Sequence, residues 1–133
     1  MDLEAKKAMV LDFYKTSFVQ RDPGKAVRLY IGDYYTQHNP RVPDGIENFI
    51  TYVKKRVADN PDRKIYFHRV FAEGDFVVMH TQHVFAPTDA VFHASPFGVA
   101  AVDIFRLENE KIVEHWDVHE NVPERAVHDN TMF

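Results

Sequence analysis

The sequence predicts an α+β domain in which a curved sheet wraps a pocket. Three observations carry that prediction. Apolar residues recur at helical spacing up to Asn60. Runs rich in β-branched and aromatic residues take over after Arg63. Those runs also carry large apolar groups on both parities, which a flat sheet with one wet face could not bury, so helices should fill the concave side of a curved one.

The first helical pattern runs from Leu3 to Val19, with Met9, Val10, Phe13, Tyr14 and Phe18 in phase. A short second helix starts after Asp22, a good N-cap, with Pro23 at the first helical position. Ala26, Leu29 and Tyr30 would share its buried face. A third begins at Asp44, with Glu47 three residues on as in a capping box. Ile46, Phe49, Ile50, Val53 and Val57 follow in phase until Asn60-Pro61-Asp62. The strands then read as two hairpins. Ile65 to Ala72 and Phe76 to Ala86 flank Glu73-Gly74-Asp75, and Phe97 to Leu107 and Lys111 to His119 flank Glu108-Asn109-Glu110. A further short strand is expected near Ala90 to His93.

With 133 residues and no linker, repeat or low-complexity tract, the chain reads as one domain, 1–133. Hydrophobic residues make up 45% and aromatics 14%, enough for a core and an apolar pocket. The net charge is −4, and charges of both signs are interspersed without a basic stripe, so a nucleic-acid partner is not expected. The absence of cysteine excludes disulfides, thiolate metal sites and cysteine nucleophiles. The charged opening Met1 to Lys7 lacks an apolar signal core, and no run is long enough to span a membrane, so a cytoplasmic protein is expected.

Strand alternation groups the ionisable residues. His115, Asp117 and His119 share one face of the last strand, opposite Trp116 and Val118. Asp103 and Phe105 share a face opposite Val102 and Ile104, while Val78, His80 and Gln82 alternate with Met79, Thr81 and His83. Alternation does not say which face is the inner one. His68, His93 and His128 read as surface or satisfied core histidines. Asp103 could pair with Arg106. The trio His115, Asp117 and His119 could be the polar face of an edge strand or a metal site.

Four runs carry a family resemblance: Tyr35-Thr36-Gln37-His38-Asn39-Pro40, Ala72-Glu73-Gly74-Asp75-Phe76-Val77-Val78, Val102-Asp103-Ile104-Phe105-Arg106 and Lys111-Ile112-Val113-Glu114-His115-Trp116-Asp117-Val118. With the closing Asn130-Thr131-Met132-Phe133, they make the chain resemble the SnoaL-like polyketide cyclases of the nuclear-transport-factor-2-like (NTF2-like) superfamily, which includes ketosteroid isomerases. The resemblance implies a cone with an apolar cavity into which Asp103, His115, Asp117 and His119 point. It implies Asp117 as general acid/base. It sets Asn39 near the isomerases' base, and an amide there argues against a steroid isomerase. It matches Tyr14 to their oxyanion tyrosine by spacing.

The expected function is therefore that of a small-molecule lyase or isomerase. It would perform an aldol-type cyclisation or a proton transfer next to a carbonyl, without a cofactor, on a small apolar or carbonyl-containing substrate. Asp117, Asp103 and His115 would be the catalytic groups. Burial should raise the Asp117 pKa towards the working range, and a second inward carboxylate could stay protonated as a donor, as one does in ketosteroid isomerase. His38, Asn39, His80, Tyr14 and His119 would bind substrate. A homodimer through the outer sheet face is expected, using Val102, Ile104, Trp116 and Val118. Two alternatives stay open: a non-catalytic ligand-binding or dimerisation module, and a metal-dependent enzyme using His115, Asp117 and His119.

Overall fold

The computed structural model describes residues 1–85 and 97–133. The strand expected at Ala90 to His93, and His93 itself, lie outside them. Helix α1 (Leu3–Tyr14) starts at Asp2, whose carboxylate accepts the Ala5 N–H at 2.8 Å. It widens into a π-helical turn, Lys15–Val19, where Ser17 Oγ donates back to the Phe13 carbonyl at 2.8 Å. Helix α2 (Pro23–Tyr30) follows with Asp22 as cap and Pro23 in the first turn, as expected. Its buried face is built on Ala26, with Val27 and Tyr30 against the core. Leu29 does not belong to that face, for it is exposed.

The chain then forms a strand that periodicity does not reveal, β1 (Ile31–Gln37). Helix α3 (Ile46–Asp59) buries Phe49, Val53 and Val57 as its spacing demands. The capping box at Asp44 does not form. The helix starts later, with Gly45 as cap, because the Asp44 carboxylate instead accepts the N–H groups of Gly45 at 2.9 Å and Gln37 at 2.8 Å. It ties the loop to the end of β1.

Two hairpins complete the sheet: β2 (Lys64–Glu73) with β3 (Phe76–Val84), and β4 (Val99–Glu108) with β5 (Lys111–Asn121). Asn109 and Glu110 both have positive φ, 50° and 60°, so the second turn twists with its strands. The strand order is β1-β5-β4-β3-β2, with β1 parallel to β5 and the remaining pairs antiparallel. The result is an α+β cone of helices on one mixed sheet. Phe13 anchors the contact between the layers, stacking on Phe49 at 5.3 Å and meeting Phe105 edge-on at 5.9 Å. No helix among the described residues is long and apolar enough to cross a membrane.

Inner and outer faces are now distinct. Val77, Met79, Thr81 and His83 of β3 are buried, with Asp103 and Phe105 of β4 and His115 of β5. The outer face carries rows in register across four strands, such as Phe71, Val78, Ile104 and Trp116.

Gly98 enters β4 at φ 83°, and a Cβ there would run into the His83 carbonyl. Gly98→Ala should therefore destabilise the fold by on the order of 2 kcal/mol or more, lowering the melting temperature by roughly 5–10 °C. Thermal denaturation followed by circular dichroism checks this.

Candidate functional site

Inside the cone lies a cavity of about 50 Å³. Its wall is largely aromatic, with Phe13, Phe18, Tyr35, Phe49, Phe85 and Phe105. Into it the sheet delivers a polar cluster. The β4–β5 register sets Asp103 directly opposite Asp117. His115 lies between the two carboxylates, its Nε2 2.8 Å from Asp103 Oδ1 and 3.9 Å from Asp117 Oδ2. Parallel pairing sets Gln37 of β1 beside His115, and Asn39 follows two residues on.

Hydrogen-bond accounting fixes the orientation of this cluster. Gln37 Oε1 accepts the Asn39 backbone N–H at 3.0 Å, so it is the amide's carbonyl oxygen. It also meets His115 Nδ1 at 2.8 Å, so that nitrogen carries a proton and donates. The contact between His115 Nε2 and Asp103 Oδ1 then holds one further proton, supplied by either partner. Asp103 Oδ2 is buried without a hydrogen-bond partner among the described residues.

Asp117 is held differently. Asn39 Oδ1 accepts the Arg41 N–H at 2.8 Å, which turns its amide nitrogen to Asp117 Oδ2 at 2.9 Å. His119 Nε2 stands 3.2 Å from the same oxygen. Burial pushes the Asp117 pKa up, but the bond from His119, the charge of His115 and the Asn39 donor outweigh it. The net result lies below the ordinary carboxylate value, contrary to the rise expected from desolvation alone. Asp117 is ionised at neutral pH.

A second polar group sits on the β3 side. Tyr14 Oη and Thr81 Oγ1 each lie 3.2 Å from His83 Nε2. Burial, then the nearby Asp103, raises the Tyr14 pKa well above 10, so the phenol keeps its proton. Burial, then the Arg63 charge, holds His83 well below its ordinary value and neutral.

The cavity thus gathers Asp103, His115, Asp117, His119, Asn39 and Tyr14. Two expected binding residues are not there. His80 has the other parity of β3 and lies on the outer face, where its ring stacks on Phe133 at 5.7 Å and its Nδ1 meets Arg69 at 2.9 Å. His38 also lies outside, stacked on Trp116 at 4.6 Å and bonded to Glu114 at 2.9 Å. His83, Gln37 and Arg63 line the cavity and did not stand out in the sequence. His83 shares its parity with the apolar Val77 and Met79, a signal that was available. Among the described residues, the converging potential metal ligands are Asp103, His115 and Asp117, whose donor atoms lie within 4.8 Å of one another, rather than the trio His115, Asp117 and His119.

The family model of SnoaL-like polyketide cyclases matches residues 8–126. Similar solved structures include TsrD from Streptomyces laurentii, 21% identical with a TM-score of 0.74 over 90% of this chain and 91% of that one. A candidate polyketide cyclase from Acidithiobacillus ferrooxidans is 21% identical, with a TM-score of 0.70 over 87% and 88% of the two chains. A candidate SnoaL-like polyketide cyclase from Jannaschia sp. CCS1 is 20% identical, with a TM-score of 0.71 over 89% and 87%. At such identities the likeness speaks for the fold alone. No curated protein matches the chain significantly.

Because its folded pKa is depressed, Asp117 adds stability above its unfolded value of about 3.9, and that stability is lost as pH falls through the folded value. Asn39→Ala removes a donor to the charged form. The Asp117 carboxyl, followed by its ¹³C shift, should then titrate at higher pH than in the wild type, and acid unfolding should begin at higher pH.

Proposed function

The chain belongs to the SnoaL-like polyketide cyclase family, and from that premise we propose that it catalyses an acid–base aldol cyclisation or proton transfer next to a carbonyl in this cavity. One observation carries the reading. Two carboxylates, Asp103 buried and Asp117 half-buried, face each other across β4 and β5 in different states, Asp117 ionised and Asp103 sharing a proton with His115. Such a split separates a base from an acid in one site.

In the proposed reaction Asp117 takes the proton next to the carbonyl. Negative charge moves to the carbonyl oxygen, where the Tyr14 hydroxyl and the proton of the Asp103–His115 pair are the donors at hand. For cyclisation, the enolate carbon attacks a second carbonyl of the same molecule and a C–C bond forms. The new alkoxide takes a proton from the pair, and the proton on Asp117 returns to it. Nothing is oxidised or reduced. The unpartnered Asp103 Oδ2 is suited to hold a substrate hydroxyl or enol.

The low pKa of Asp117 narrows the substrate. Each tenfold by which a base weakens costs about 1.4 kcal/mol of driving force. A base held below its ordinary value suits an acidic C–H, such as a methylene between two carbonyls. Pentane-2,4-dione is a minimal probe. The protein should accelerate exchange of its methylene protons with deuterium oxide, and Asp117→Asn should reduce the enzymatic rate about 10²–10⁴-fold while keeping the fold. Full exchange by the variant would remove Asp117 as the base.

We propose further that two copies pair through the outer sheet face. Phe71 and Val118 are 59% and 69% exposed there, beside Val102, Ile104 and Trp116. Light scattering should give a dimer for the wild type and a monomer for Val118→Asp. An equally stable dimer in the variant would locate the contact elsewhere.

A further inference from the structure

The cavity, at about 50 Å³, is far smaller than the roughly 300–1,000 Å³ of small-molecule sites. It is not isolated. Phe18 and Arg63 line it and also line an open cleft of about 350 Å³ on the other side. The cleft runs between the end of the π-helical turn and the start of β2, with Val57, Pro61 and Ile65 as apolar lining. The two spaces therefore share one aromatic ring and one guanidinium as a common wall.

The charge around the cleft is one-sided. Its charged lining residues are Arg21, Arg63 and Lys64, with no carboxylate among the described ones. In a chain of net charge −4, three cations around one concavity make a local positive potential. Arg21 is fixed there. Its backbone sits at φ 61°, and its Nη2 donates to the carbonyls of Pro61 at 2.8 Å and Val57 at 3.4 Å. Neither Arg21 nor Lys64 has a carboxylate partner among the described residues. Arg63 lies over the rings of Phe18 at 5.2 Å and Phe85 at 4.6 Å, which holds its planar cation between the two spaces.

We infer that the cleft is the outer half of the substrate site and receives an anionic tail, a carboxylate or a phosphate, of a ligand whose carbonyl end passes Phe18 and Arg63 into the cavity. The inference rests on the proposed reading of the cavity as the reacting site. It resolves the size mismatch, since the cleft supplies the volume that the cavity lacks. It also sets the polarity of the ligand. The enolisable end meets Asp117 and the charged end meets the arginines, so the two carboxylates and the tail are held apart.

The test is a titration of the full chain, followed by backbone amide NMR, with 4-phenylbutyrate, 3-phenylpropyl phosphate and the neutral 4-phenylbutanamide. The anions should bind at least tenfold more tightly than the amide and weaken as salt is raised. They should shift the amides of Val19 to Arg21 and Arg63 to Ile65 as well as those of the cavity. Arg21→Gln and Lys64→Gln, both of exposed residues, should each weaken anion binding about three- to tenfold and leave the amide unaffected. The tighter anion identifies the tail. Equal affinity for amide and anions, or anion affinity unchanged in both variants, would overturn the inference. Deuterium exchange of pentane-2,4-dione needs no tail, so failure here leaves the role of Asp117 standing, whereas lost exchange with anion binding intact would strike the reacting site and not the anion cleft.

Discussion

The pairing of β4 with β5 is the constraint from which the rest of the site follows. Register is unforgiving in a sheet, because a slip of one residue sends a side chain to the opposite face. Here it sets two aspartates directly opposite each other in a buried layer. Like charges so placed repel, and burial magnifies the cost. The strands tolerate it because His115, two residues before Asp117, lies on the same face with Nε2 between the carboxylates. A proton shared with Asp103 leaves a single net negative charge among the three side chains.

The parallel strand β1 does the second part of the work. It supplies Gln37 and, just past its end, Asn39, and each amide is oriented by a backbone N–H. Gln37 thereby dictates which nitrogen of His115 is protonated, and Asn39 dictates which group faces Asp117. The outer face supports this geometry. His38, stacked on Trp116 and bonded to Glu114, pins the chain on one side of the sheet immediately before Asn39 turns to the other. Asp44 ties the same loop back to Gln37. The site is thus built by backbone pairing first and by side-chain chemistry second.

Much of the fold was legible because its elements have strong local signals: the phase of Phe49, Val53 and Val57, the Asp22-Pro23 start, and the turns at Gly74 and Asn109. β1 was not. Ile31-Gly32-Asp33-Tyr34-Tyr35-Thr36-Gln37 has no clean alternation, and its strand character comes from parallel pairing with β5, a long-range contact without a local signature. Asp44 resembled a helix cap because the sequence does not reveal the competing Gln37 N–H. Within the site, alternation grouped His115, Asp117 and His119 correctly but left the inner face open. His83, not His80, shares the buried parity that Val77 and Met79 mark. The direction of the Asp117 pKa is hidden from the sequence for a related reason. Burial can be inferred from pattern, whereas its reversal by the bond from His119, the charge of His115 and the Asn39 donor depends on side-chain geometry that alternation does not supply.

The arrangement gives the cavity a division of labour between a bare carboxylate and a carboxylate that shares a proton, facing a tyrosine that keeps its own. That division hangs on the protonation of one imidazole, so ¹⁵N NMR of the His115 ring at neutral pH tests it most directly. The structure requires Nδ1 to bear a proton, donated to Gln37, with a further proton shared between Nε2 and Asp103. An unprotonated Nδ1 would mean that Gln37 is reversed and the proton inventory is different, and the assignment of acid and base in this cavity would then fail.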